Sequence, residues 1–205
     1  MFQDILTNKQ INLLNLLSEF SSKYYLVGGT AIALQIGHRR SIDFDLFSFY
    51  EIEYQNIVKA IRKLNYDIEF TFNQDVDELS LLVNSVRISF VSYPFPIDSN
   101  LWFKDVISMP HLNILGAMKA YALGRRSKWK DYVDLYFLLK NYLSLEDLSS
   151  QAKNIFGGGF NERVFREQLC YFDDVDRSET VEYMDPSFSP DDSEIERFLT
   201  EVAVS

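Results

Sequence analysis

Apolar residues recur at helical spacing from the start of the chain. Ile11, Leu14 and Leu17 share one face of residues 7–20, and Thr7 stands where an N-cap belongs, so a helix is expected there. The pattern then shortens. Residues 24–27 are an aromatic and aliphatic run ended by Gly28-Gly29, which reads as a buried strand, and residues 30–36 are helical until Gly37 stops them. Residues 42–47 alternate apolar and acidic, the pattern of a strand with one polar face. A helix over 52–64 and extended stretches over 67–72, 79–83 and 86–93 follow, the last two joined by Asn84-Ser85 as a tight hairpin turn. Beyond Pro110 the spacing is helical over 111–123, 130–141, 145–156 and 162–171, with glycines at 157–159 between the last two. Residues 173–191 are acidic and contain Pro186 and Pro190, an exposed loop before a final helix near 193–202.

This order predicts an α+β fold, with a small mixed sheet flanked by helices over residues 1–108 and a helical C-terminal lobe with an acidic tail over 109–205. A chain of 205 residues is long enough to bury one sizeable core or two small ones. The longest apolar runs, such as 132–139, fall far short of the roughly 20 residues that span a bilayer, and the N-terminus lacks a basic leader and apolar core. A soluble, cytoplasmic protein without membrane contact is therefore expected. The single cysteine, Cys170, has no partner for an internal disulfide.

Charge changes the picture only when it is divided along the chain. The net charge of −10 argues at first against a polyanionic partner, but residues 1–140 carry 15 acidic and 15 basic side chains, while residues 141–205 carry 15 acidic and 5 basic. Between Lys119 and Lys130 lie five basic residues and no acid. That local patch, Arg125 to Lys130 with Trp129 available for stacking, is a candidate surface for an RNA acceptor such as tRNA; a solvated basic turn reads equally well. The acidic tail is a candidate cover for the same patch, or simply a source of solubility.

The candidate chemistry lies in GGTAIALQIGHRRSIDFDLF, residues 28–47. A strand ending in two glycines before a helix offers unobstructed N–H groups at a helix N-terminus, which suits phosphate, and Thr30 adds a hydroxyl; the same pair is also an ordinary tight turn. Asp43 and Asp45 are two apart on an expected strand, so both carboxylates face one way while Phe44 faces a core. Same-facing carboxylates repel unless a cation lies between them, and Mg²⁺ or Mn²⁺ completed by substrate phosphates is the natural one; a solvent-facing edge strand is the alternative. Arg39 and Arg40 suit phosphate or acceptor, and they equally suit the C-terminal end of a helix dipole.

At these residues the chain resembles the polymerase-β-type nucleotidyltransferase superfamily, and more closely the AbiEii/AbiGii toxin-like branch of bacterial toxin–antitoxin systems. The stretches VRISFVSYPFP (86–96), LNILGAMKAYALGRRSKWKDYVDLYFLLK (112–140) and YFDDVD (171–176) extend the likeness over most of residues 24–176. The resemblance implies a minimal nucleotidyltransferase fold. Within it Asp43 and Asp45 would hold the metal, and Gly28, Gly29, Thr30, Arg39 and Arg40 would bind a nucleoside triphosphate. It also implies Lys119 near the triphosphate and Asp131 as a general base or metal-proximal carboxylate, with transfer of a nucleoside monophosphate to a hydroxyl of RNA or protein and a cognate antitoxin as partner. Read without the family, Lys119 is a surface lysine, and Asp131 caps a helix while Asp134 pairs with Lys130.

One departure stands out. Active superfamily members carry a third carboxylate on a neighbouring strand, and the matching position here is Ser89, on the strand face of Arg87. A serine hydroxyl gives up its proton poorly at neutral pH. Three readings follow: Asp131 supplies the missing carboxylate, Glu69 supplies it from the adjacent stretch, or the protein binds nucleotide as a degenerate or regulatory module without turning it over. Transfer to a small hydroxylated molecule such as an antibiotic is a further reading.

Overall fold

The computed structural model describes residues 1–123 and 125–205 and divides the chain into two units, Met1–His111 and Leu112–Ser205. In the first unit, α1 (Asn8–Asn12) opens on a capping box in which Thr7 accepts from the Gln10 backbone and the Gln10 side chain accepts from the Thr7 N–H. The single helix expected over 7–20 is broken. Leu13 donates its N–H three residues back to the Gln10 carbonyl, tightening the turn, and α2 restarts at Leu14–Phe20.

The sheet is built from β1 (Tyr25–Val27), β2 (Phe44–Ser48), β3 (Ile68–Gln74), β4 (Glu78–Val83) and β5 (Val86–Ser92), in the order β1-β2-β5-β4-β3. Strands β2 and β5 run parallel and every other pair is antiparallel, so the sheet is mixed. Helices α3 (Gly28–Ile36) and α4 (Tyr54–Lys63) leave and re-enter it. Along β2 burial alternates, with Phe44, Leu46 and Ser48 buried and the residues between them half-buried, as a period of two requires. Asn84 and Ser85 both hold positive φ, the conformation a two-residue hairpin turn needs.

Two strands of this unit were not expected. β6 (Leu101–Phe103) and β7 (Ile107–Met109) form a separate hairpin, with Lys104 and Asp105 at positive φ between them. Three-residue strands are too short to show alternation, and the turn carries no glycine to mark it.

In the second unit, α5 (Leu112–Leu123), α6 (Trp129–Asn141), α7 (Leu145–Phe156), α8 (Glu162–Leu169) and α9 (Asp192–Val204) carry the core. Ser144, Asn161 and Asp191 accept backbone N–H bonds at the starts of α7, α8 and α9. Helix α6 is buried from Trp129 through Leu138 except for Lys130, polar positions included. No helix among the described residues is long and apolar enough to cross a membrane.

Candidate active site

The glycine pair does not precede its helix; it is the first turn. Val27 is the extended N-cap, and α3 begins at Gly28, whose φ of +70° lies in the left-handed region. A Cβ at Gly28 would stand 2.3 Å from Asp45 Oδ2, and one at Gly29 would stand 2.2 Å from an Arg39 guanidinium nitrogen. The two missing side chains therefore make room for one carboxylate and one guanidinium at the N-terminal end of α3. The N–H groups of that first turn have no partners within the helix, which favours negative charge there.

Thr30 is buried, and its hydroxyl lies 2.8 Å from Ser41 Oγ and donates to the Asp43 carbonyl. It ties the segment before β2 to the helix. Its hydroxyl proton is directed at protein oxygens. Arg39 is 2% exposed and donates to the Arg40 carbonyl at 3.0 Å. Arg40 is half-buried, its guanidinium 3.4 Å from the Asp4 carbonyl.

Strand β2 starts at Phe44, so Asp43 lies just before it, yet both aspartates stay half-buried on either side of the buried Phe44. Asp45 sits between Val27 on β1 and Ser89 on β5 in the strand register. Ser89 is paired in turn with Ser80 on β4, and the two hydroxyl oxygens are 2.9 Å apart. Ser80 donates to Glu78 Oε1 at 2.8 Å. Arg87 reaches Ser80 Oγ at 3.5 Å and lies over the Phe72 ring at 5.0 Å.

Glu69 does not fill the place of a third carboxylate. It lies on β3, two strands beyond β5, and accepts the Ser85 N–H at 2.7 Å at the hairpin end of the sheet. Ser80 and Glu78 were missed from sequence. Their signal was a serine in the apolar run ELSLLV, and only the pairing of β4 with β5 gives it a partner.

Among the described residues, no three His, Cys, Asp or Glu side chains cluster as a metal site. Asp43 and Asp45 nevertheless fit a divalent cation that draws its remaining oxygens from a substrate. They are hard donors, and Gly28 clears the space against Asp45.

In the helical unit, Lys119, Asp131 and Asp134 are 6%, 2% and 0% exposed. Lys119 donates to Asp131 and stands 2.9 Å from Asp134, while Arg126 donates to Asp131 at 3.0 Å. Lys119 is therefore no surface lysine. Asp131 is not a helix cap, since the start of α6 carries no side-chain cap bond, and Lys130 pairs with Glu179 rather than Asp134. Burial pushes the Asp131 carboxyl up, but the charges of Lys119 and Arg126 outweigh it and hold the group below its usual range. A carboxylate so stabilised is a weak proton acceptor.

The two lysines of the basic patch are paired with Glu179, while Arg125 and Arg126 stay exposed. Glu179 accepts from Lys128 at 2.8 Å and from Lys130 at 2.9 Å, and those two lysines hold its carboxyl down at about 2. The backbones of Lys128 and Asp176 form a parallel β-bridge, and Arg177 lies 3.9 Å over the Trp129 ring. Arg125 packs on Tyr121 at 3.5 Å and donates to the Tyr121 and Gly159 carbonyls. Gly124 of the same stretch lies outside the described residues.

Residues 13–193 match the family described as nucleotidyl transferase AbiEii toxin, type IV toxin–antitoxin system. The chain belongs to that family. It is 30% identical over 181 residues to the protein aq_aa25 of Aquifex aeolicus, covering 86% of this chain and 84% of that one. Two solved structures share this fold at low identity. JHP933 from Helicobacter pylori superposes with a TM-score of 0.64 at 17% identity over 97% of this chain and 92% of its own. MenT4, a nucleotidyltransferase toxin of Mycobacterium tuberculosis, superposes with a TM-score of 0.65 at 12% identity over 95% and 81%.

Proposed function

We propose that this AbiEii-type protein transfers a nucleoside monophosphate from a nucleoside triphosphate to a hydroxyl of RNA or protein and serves as the toxin of a toxin–antitoxin pair. The observation that carries the reading is Asp45 seated against the left-handed Gly28, with Asp43 on the other side of Phe44. A strand–glycine–helix turn and two carboxylates are thus combined at one end of the sheet, beside the buried cation of Arg39.

Asp43 and Asp45 would hold Mg²⁺ or Mn²⁺, which when bound neutralises phosphate charge and polarises the α-phosphorus. The Gly28-Gly29 turn directs backbone N–H groups at the triphosphate, and Arg39 adds positive charge. Thr30 holds the Asp43 backbone in place. In the helical unit the Lys119 ammonium is held by Asp131 and Asp134. Asp131 then serves to fix Lys119 and Arg126, not to remove a proton.

Incubation with each α-labelled nucleoside triphosphate, Mg²⁺, and total RNA or total protein tests this reading and identifies the acceptor. Label should move to one acceptor class in the wild type and to none in Asp43→Asn. Equal labelling by both proteins, or none by either, would sink it. Ser89 favours a second reading, a nucleotide-binding module without turnover, in which nucleotide raises the melting temperature and no pyrophosphate appears.

A further inference from the structure

The expected third carboxylate is absent at position 89, but a carboxylate is connected to that position. Ser80 has one hydroxyl proton, and it goes to Glu78 Oε1 at 2.8 Å. Ser80 Oγ can therefore only accept across its 2.9 Å contact with Ser89, which makes Ser89 the donor. The chain has one direction: Ser89 O–H to Ser80 O–H to the Glu78 carboxylate. Its inner end lies beside Asp45 in the parallel register of β2 and β5, and its outer end is half-buried, where a proton can pass to water. Ser89 and Ser80 are 7% and 0% exposed, so no bulk water competes for the bond between them. The other acids that sequence offered are unsuited, since Asp131 is clamped by two cations and Glu69 is tied to the Ser85 N–H two strands away.

We infer that Glu78 supplies, through Ser80 and Ser89, the proton acceptor of nucleotidyl transfer; the inference rests on the transferase reading above. As the acceptor oxygen bonds to the α-phosphorus, the bond from that phosphorus to the bridging oxygen of the departing pyrophosphate breaks. The acceptor proton goes to Ser89 Oγ, the Ser89 proton to Ser80 Oγ, and the Ser80 proton to Glu78. Each serine receives a proton as it releases one, so neither carries an alkoxide. Ser89 meets the acceptor, while Ser80 and Glu78 are positioning residues that act through it.

The variants Glu78→Gln, Ser80→Ala, Ser89→Asp and the double variant Ser89→Asp/Glu78→Gln test the relay. A glutamine amide oxygen still accepts from Ser80, so Glu78→Gln keeps the geometry and removes only the proton acceptor. Glu78→Gln and Ser80→Ala should each lower kcat by about 10²-fold or more, with KM for nucleotide little changed. Ser89→Asp, which puts a carboxylate directly beside Asp45, should restore most of that loss in the Glu78→Gln background and shift the acidic limb of the pH–rate profile. A purely structural role for Glu78 predicts no such rescue. An active wild type with an unchanged Glu78→Gln variant, or a folded double variant that stays as slow as Glu78→Gln, overturns the relay alone. A wild type inactive with every nucleotide overturns the relay together with the transferase reading.

Discussion

Ser89 stands next to Asp45 across the parallel pairing of β2 and β5, with its hydroxyl 2.9 Å from that of Ser80. The position that lacks a carboxylate is thus part of a hydrogen-bonded row running across β5 and β4. Glu78 accepts from Ser80 at the far end of that row.

Gly28→Ala should remove activity with only modest loss of stability. The new Cβ would lie 2.3 Å from Asp45 Oδ2, and the backbone would hold alanine at φ +70°. A left-handed alanine costs about 1 kcal/mol, whereas displacing a metal-holding carboxylate by 1 Å costs on the order of 10²-fold in rate. Transfer rate and melting temperature measured on one preparation separate the two effects.

Buried Lys119, Asp131 and Asp134, with the exposed Arg126 at their edge, set two positive against two negative charges. Asp134→Asn leaves that balance positive in a site where Asp134 is fully buried. A loss of about 3 kcal/mol is expected in urea unfolding, and a change below about 0.5 kcal/mol, typical of an indifferent surface site, would contradict it.

The same cluster sets an acid limit. The folded-state pKa of Asp131 is depressed, so its contribution is complete above the ordinary value of 3.8 and is lost as pH falls through the folded value. Unfolding midpoints should therefore drop below about pH 4 in the wild type. They should drop less in an Asp131→Asn variant, which has already lost that contribution.

Glu179→Gln should uncover Lys128 and Lys130. Both pairs are partly solvated, so stability should change by less than about 1 kcal/mol. Single-stranded RNA should bind a few-fold more tightly at low salt, with a steeper dependence on salt as two more cations reach phosphate. Filter binding across a salt series measures both, and unchanged affinity would show that the patch is no RNA surface.

The parts legible from sequence were those encoded locally. The cap at Thr7, the period of helix α7 and the alternation around Phe44 each lie within one segment. The pairing of Lys119 with Asp134, the cover of Glu179 on Lys128 and the row from Ser89 to Glu78 join residues far apart in the chain or depend on strand register. Period and propensity carry no information about such partners. The break at Leu13 was hidden for another reason, since its side chain keeps the helical apolar pattern while only its backbone departs from it.

Pyrophosphate release from nucleoside triphosphate and Mg²⁺, measured for the wild type and Asp45→Asn at matched folded fractions, tests the central claim most directly. The account predicts acceptor-dependent release by the wild type and a loss of at least about 10³-fold in the variant, since the metal and the triphosphate lose their shared support. Release by Asp45→Asn at the wild-type rate would contradict it.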